Sequence, residues 1–188
     1  MRVFIAVSIP ERSKKLLENK VNKIKASVNQ DLKWVESKNW HLTLKFLGET
    51  DKRKINEIKK KISETVNNYN SFPLKFRGIN AFPNMRYPKV LFIDIKWGKD
   101  NLIKMKSELD KSLSEIGFSL EDRDFKPHLT IARSRNNTDL KKLAESLAEF
   151  DSKNFINIYM ETKEIKLMKS ELYPSGPAYE ELFTKILK

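Results

Sequence analysis

The stretch NWHLTLKFLG, residues 39–48, carries one of only two histidines in a chain of 188 residues. The other stands in KPHLTIARS, residues 126–134, and each histidine is followed by Leu-Thr and an aliphatic residue. In a β-strand, side chains two apart share a face. His41 and Thr43 therefore point one way, and Leu42 and Leu44 point the other way into a core. His128 and Thr130 stand in the same relation to Leu129 and Ile131. By ordinary residue frequencies a given histidine precedes Leu-Thr-aliphatic at a rate on the order of one in a thousand. One such strand is ordinary; two in a chain with two histidines indicate a shared purpose.

Outward from these strands the pattern alternates between the two periods. VFIAVSI (3–9) reads as a first strand, and Pro10-Glu11 opens a helix whose face is Leu17, Val21, Ile24 and Val28. Thr50-Asp51 precede a second helix bearing Ile55, Ile58, Ile62 and Val66. FPLKFRGINAF and KVLFIDIKW predict a strand pair joined by the basic turn PNMRYP. Leu102, Met105, Leu109, Leu113 and Ile116 mark a third helix, which Gly117 ends. Asn137-Thr138-Asp139 cap a fourth helix with Leu140, Leu143 and Leu147. FINIYM, KEIKLMKS and YEELFTKIL close the chain as strands. The expected fold class is α+β with largely antiparallel sheets, and residues 1–188 show no linker, so one domain is expected.

Lysine and arginine number 37 against 25 acidic residues, a net charge of +12. That surplus favours a polyanionic partner such as RNA, DNA or an anionic membrane surface, although it is scattered rather than gathered in a tail. The absence of cysteine excludes disulfides, iron–sulfur clusters and thiolate zinc sites. The apolar run after Arg2 is too short for a secretory segment or a membrane span, so the cytoplasm is the expected compartment and no membrane partner is expected.

Two imidazoles and two hydroxyls suit paired general acid–base catalysis. Imidazole titrates near neutral pH, so one histidine starts neutral and takes a proton while the other starts charged and gives one. The threonine hydroxyls hold the oxygens of a tetrahedral anion. The implied reaction is in-line displacement at phosphorus, with no metal and no cofactor. A metal site would need carboxylates that neither motif supplies, and no nucleophile-elbow sequence is present.

With these motifs in place, the chain resembles the 2H phosphoesterases, and within them the RNA 2′,3′-cyclic phosphodiesterases long called 2′-5′ RNA ligases. RVFIAVSIP resembles the family's opening strand, HLTLKFLGE its first motif and FKPHLTIAR its second. INAFPNMRYPKVLFIDI resembles the central hairpin, and LMKSELYPSGPAYEEL the closing segment. The resemblance implies two pseudo-symmetric lobes lining a central cleft, with helices outside. It implies His41 as the proton donor to the leaving ribose oxygen and His128 as the proton acceptor that activates water. Thr43, Thr130 and Arg133 would bind phosphate, and Phe4, Arg86 and Lys89 would contact RNA. Ser170 and Tyr179 match the closing segment as supports of the fold. The expected partner is RNA with a 2′,3′-cyclic phosphate end, tRNA fragments among the candidates, and a monomer is expected.

Strand parity sets a condition on Arg133. Positions 128 and 130 share a face that position 133 should not, so Arg133 reaches the phosphate only if the strand bulges or ends near Ala132. Two other readings stand beside the enzyme acting on RNA ends. One is a non-catalytic RNA-binding protein; the other is a phosphodiesterase acting on small cyclic nucleotides or 2′-5′ oligoadenylates.

Overall fold

The computed structural model describes residues 1–28, 30–153, 156–174 and 176–188. Its strands form two antiparallel sheets. The first, in the order β3-β1-β8-β9, joins β3 (His41–Glu49), β1 (Arg2–Ser8), β8 (Glu164–Tyr173) and β9 (Gly176–Ile186). The second, in the order β2-β6-β5-β4-β7, joins β2 (Leu32–Trp34), β6 (His128–Ser134), β5 (Tyr87–Trp97), β4 (Phe72–Asn84) and β7 (Ile158–Thr162). Each sheet thus holds one His-Leu-Thr strand, and the two strands adjoin along the line where the sheets meet.

The helices close the outer faces. α1 (Glu11–Ser27) buries Leu17, Val21 and Ile24, and packs with α4 (Leu140–Lys153) against the second sheet. α2 (Ile55–Val66) buries Ile58, Ile62 and Val66, and packs with α3 (Lys99–Ser114) over the first. Asp139 caps α4 by accepting the backbone N–H groups of Lys141 and Lys142. The inward residues of both sheets and of all four helices form one continuous apolar cluster. Each fully buried Leu or Ile in it contributes about 1.5–3 kcal/mol relative to exposure. No described helix is long and apolar enough to cross a membrane.

The architecture is the α+β arrangement expected, with local differences. α3 stops at Ser114, and Ile116 lies in the turn after it, where Gly117 takes φ +87°. β2 is an addition to the expected strands: three residues are too few to display a period, and its place is set by pairing with β6. β7 begins at Ile158 rather than at the start of FINIYM, and Phe155 of that segment lies outside the described residues.

Candidate active site

β3 and β6 share one irregularity. Across from β1, Thr43 pairs with Ala6 and Lys45 with Ile5, leaving Leu44 without an opposite residue. Across from β5, Thr130 pairs with Phe92 and Ala132 with Leu91, leaving Ile131 without one. These are β-bulges three residues after each histidine, and a bulge reverses the alternation beyond it. Leu44-Lys45 and Ile131-Ala132 are consequently buried pairs, and the next residue emerges on the histidine's face. That residue is Arg133 in β6. The parity condition is met by a bulge, and Arg133 shares a face with His128 and Thr130. In β3 the same position holds Phe46, 69% exposed. Sequence reasoning misses Phe46, although its fifth place after His41 matches that of Arg133 after His128.

Each imidazole is tied to the carbonyl two residues before it. His41 Nδ1 lies 2.7 Å from the Asn39 oxygen, and His128 Nδ1 lies 2.6 Å from the Lys126 oxygen. A carbonyl only accepts, so both Nδ1 atoms carry hydrogen and both Nε2 atoms are left for chemistry. The two imidazoles sense each other as like charges: a proton on His128 makes a proton on His41 less favourable.

Aromatic rings form the floor beneath each histidine. The His41 ring lies 4.8 Å from Phe4 and 5.2 Å, edge-on, from Tyr179. The His128 ring lies 5.0 Å from both Phe82 and Phe92. This corrects the expectation for Phe4. Its ring is 2% exposed, packed between His41, Phe46 and Tyr179, and has no free face for a nucleobase. Phe4 orients the imidazole; the exposed ring beside it belongs to Phe46.

Burial is the main force on both histidines and pushes both pKa values down from 6.5. For His41 the Asn39 carbonyl opposes that fall and the His128 charge adds to it. For His128 the Lys126 carbonyl opposes, the Arg133 guanidinium adds, and Asp94, directly across on β5, opposes. Ser8 occupies the corresponding place across from His41, and its hydroxyl donates to Glu164 at 2.6 Å.

Behind β3 lies a buried ion network. Lys45, the polar member of the bulge pair and 3% exposed, lies 2.6 Å from an Asp110 carboxylate oxygen. Its ammonium also donates to the Ser119 carbonyl at 2.9 Å. Lys106 and Glu121 complete the cluster, 3.1 Å apart. The network ties the bulge of β3 to α3.

Arg86 lies exposed at the tip of the β4–β5 hairpin, where its backbone N–H donates to Asn84 Oδ1. Lys89 is exposed one residue before Val90, the cross-strand neighbour of Arg133. Both stand at the Arg133 end of the sheet rather than beside the histidines. Ser170 and Tyr179 face each other across β8 and β9. Burial raises the Tyr179 phenol pKa, while the nearby Arg133 charge opposes the rise.

Residues 15–173 match the family model described as the 2′-5′ RNA ligase superfamily. The RNA 2′,3′-cyclic phosphodiesterase of Methanocaldococcus jannaschii is 36% identical over 180 residues, which cover 96% of this chain and 97% of that protein. The protein of the same name from Thermotoga maritima is 34% identical, covering 97% and 94%. Among solved structures, TT0787 of Thermus thermophilus superposes with a TM-score of 0.81 at 25% identity, covering 100% of this chain and 98% of that one. E. coli LigT complexed with 3′-AMP shares the fold at a TM-score of 0.73 and 19% identity, covering 99% and 97%. With the family model spanning most of its length, the chain belongs to the 2′-5′ RNA ligase superfamily.

Proposed function

We propose that the protein hydrolyses RNA 2′,3′-cyclic phosphate ends to 2′-phosphomonoesters, using its two histidines as acid and base and no metal. Water attacks phosphorus opposite the ribose O3′, and His128 Nε2 takes the proton that water loses. The P–O3′ bond breaks, and His41 Nε2 delivers a proton to the departing oxygen. Thr43 and Thr130 hold the non-bridging oxygens, and Arg133 balances their charge. The observation that carries this reading is the matched pair of imidazoles, each with Nδ1–H committed to its own backbone and Nε2 free. The names of the relatives support the substrate class.

The assignment of roles follows the resemblance of the two motifs to the family's, with the first histidine as donor and the second as acceptor. With an RNA 5′-hydroxyl in place of water as the attacking group, the same opening of the ring at P–O3′ would make a 2′-5′ linkage. Water at ~55 M favours hydrolysis by mass action.

The test is incubation with EDTA and an oligonucleotide bearing a 2′,3′-cyclic phosphate, followed by identification of the product isomer. A 2′-phosphate is expected, with the rate falling about 10²–10⁴-fold in His41→Ala and in His128→Ala. A metal requirement, or an unchanged rate in either variant, overturns the mechanism. RNA binding without turnover would identify a non-catalytic binder, and preference for cyclic mononucleotides or 2′-5′ oligoadenylates would reassign the substrate.

A further inference from the structure

Beyond the histidines, the face of the second sheet that carries His128 ends in an aromatic group that the proposed reaction does not use. Lys75 on β4 is flanked by Trp97 on β5 and Tyr159 on β7, its direct partners in the two ladders. The neighbouring residues Leu74, Phe76, Ile158 and Ile95 turn into the core, which places this row on the opposite face, the one that carries His128. Trp97 is 60% exposed and Tyr159 51% exposed. Their rings meet edge-on above β4, with centroids 6.5 Å apart and planes at 86°. The Lys75 ammonium lies 4.8 Å from the centre of the Tyr159 ring.

The strand end is held rigidly. Gly98, the residue after Trp97, has φ +79°, and a Cβ there would lie 2.2 Å from the Pro73 carbonyl oxygen. Only glycine fits that turn without displacing backbone, so β4 and the end of β5 are locked together under the two rings. Asp94, across from His128, precedes Trp97 by three residues, about 10 Å along a strand.

We infer that Trp97, Tyr159 and Lys75 form a stacking site for single-stranded RNA, engaging nucleotides upstream of the cyclic end held at the histidines. This site rests on the proposed RNA substrate for its purpose, but not for its chemistry. An exposed aromatic ring stacks on any base, and the Lys75 ammonium over the Tyr159 ring meets the phosphate backbone. Exposed Lys96 adds charge of the same sign, and the net charge of +12 favours a polyanion over an apolar protein surface. Glu161, paired with Pro73 two residues along the ladder, bounds the site on its acidic side.

Two measurements separate this site from the reaction. The first is binding of a fluorescent single-stranded RNA octamer with ordinary 3′-hydroxyl ends, which no hydrolysis can alter. Trp97→Ala and Tyr159→Ala are each expected to weaken it about tenfold, while Trp97→Phe retains most of it and reports intact folding. Lys75→Gln is expected to reduce the slope of log affinity against log salt by about one. The second is hydrolysis of a 2′,3′-cyclic mononucleotide, which Trp97→Ala should leave unchanged while KM for a cyclic-ended octamer rises. Unaltered octamer binding in both alanine variants overturns the inference, as does equal loss on mononucleotide and octamer. A Trp97-dependent change in oligomeric state would also overturn it, in favour of a protein partner. If the wild type hydrolyses neither substrate yet binds RNA through Trp97, the catalytic reading fails and this site stands.

Discussion

Arg133 and Phe46 occupy the same position in the two halves of the molecule. Each follows its motif histidine by five residues, and each is turned onto the histidine's face by a bulge at Ile131 or Leu44. The backbones match while the side chains differ, one a cation and the other a 69% exposed ring. Substitutions at the two positions should therefore separate cleanly. Arg133→Ala should lower kcat by about tenfold or more, the scale of a lost charge-assisted contact to the reacting phosphate, with partial recovery in Arg133→Lys. Phe46→Ala should mainly raise KM for nucleotide substrates, by about tenfold if the ring stacks on a base. Steady-state kinetics on one cyclic mononucleotide decides both, and a kcat effect confined to Phe46→Ala would count against the assignment.

Because burial depresses both histidines, the activity profile should lie on the acid side. In the proposed reaction His41 must be charged to donate, and that form is lost as pH rises through a pKa held below 6.5. His128 must be neutral to accept, and that form is lost as pH falls through its own lowered pKa. For the free enzyme, kcat/KM should follow a bell centred below pH 6.5. Removing Arg133 lifts one of the influences holding His128 down, so its titration should move upward. Proton NMR of the two imidazole rings measures this directly, and a flat rate between about pH 5 and 9 would exclude paired imidazoles.

The same shifts make a prediction about stability. A histidine whose pKa is lower folded than unfolded contributes stability that is fully present above the unfolded value and lost as pH falls through the folded one. Thermal stability should therefore decline as pH drops from about 7 towards 5. The double variant His41→Asn/His128→Asn should show a shallower decline over that window. Melting temperatures across the series provide the comparison; equal slopes would mean that the acid sensitivity arises elsewhere.

Lys45 should matter out of proportion to its distance from phosphate. Lys45→Met leaves Asp110 buried beside one fewer cation, a loss expected at about 3–5 kcal/mol. Lys45→Met/Asp110→Leu removes both charges and should recover much of that loss. Denaturant unfolding of the two variants gives the coupling. A double variant no more stable than the single would show that packing around β3, rather than charge, is responsible.

Lys45 also shows where the sequence stops being readable. Alternation in HLTLKF assigns its lysine to the solvent face, because nothing local signals that Asp110, far along the chain on α3, will meet it. The bulge belongs to the pairing of β3 with β1, some forty residues away in sequence, and Phe46 escapes notice for the same reason. In HLTIAR a bulge or a strand end near Ala132 can be stated as a condition, since regular alternation would turn Arg133 away from the phosphate. The histidine and threonine faces, all four helices and the pairing of KVLFIDIKW with its neighbour are legible because each rests on periodicity within one element. Phe4 is misplaced because an alternating strand gives the side of the sheet but not the depth beneath the rings above it.

The paired bulges make a symmetric frame directional. Two copies of one strand would bind a phosphate equally from either side and would give attacking and departing oxygens the same reception. One extra residue in each strand adds a fifth position to the site, and that is where the copies part company. With a cation on one flank and an aromatic face on the other, the proposed site would receive a nucleotide in one favourable orientation. Straightening either strand without losing a residue, so that Leu44 or Ile131 gained an opposite partner, would turn Phe46 or Arg133 to the core side and restore the ambiguity.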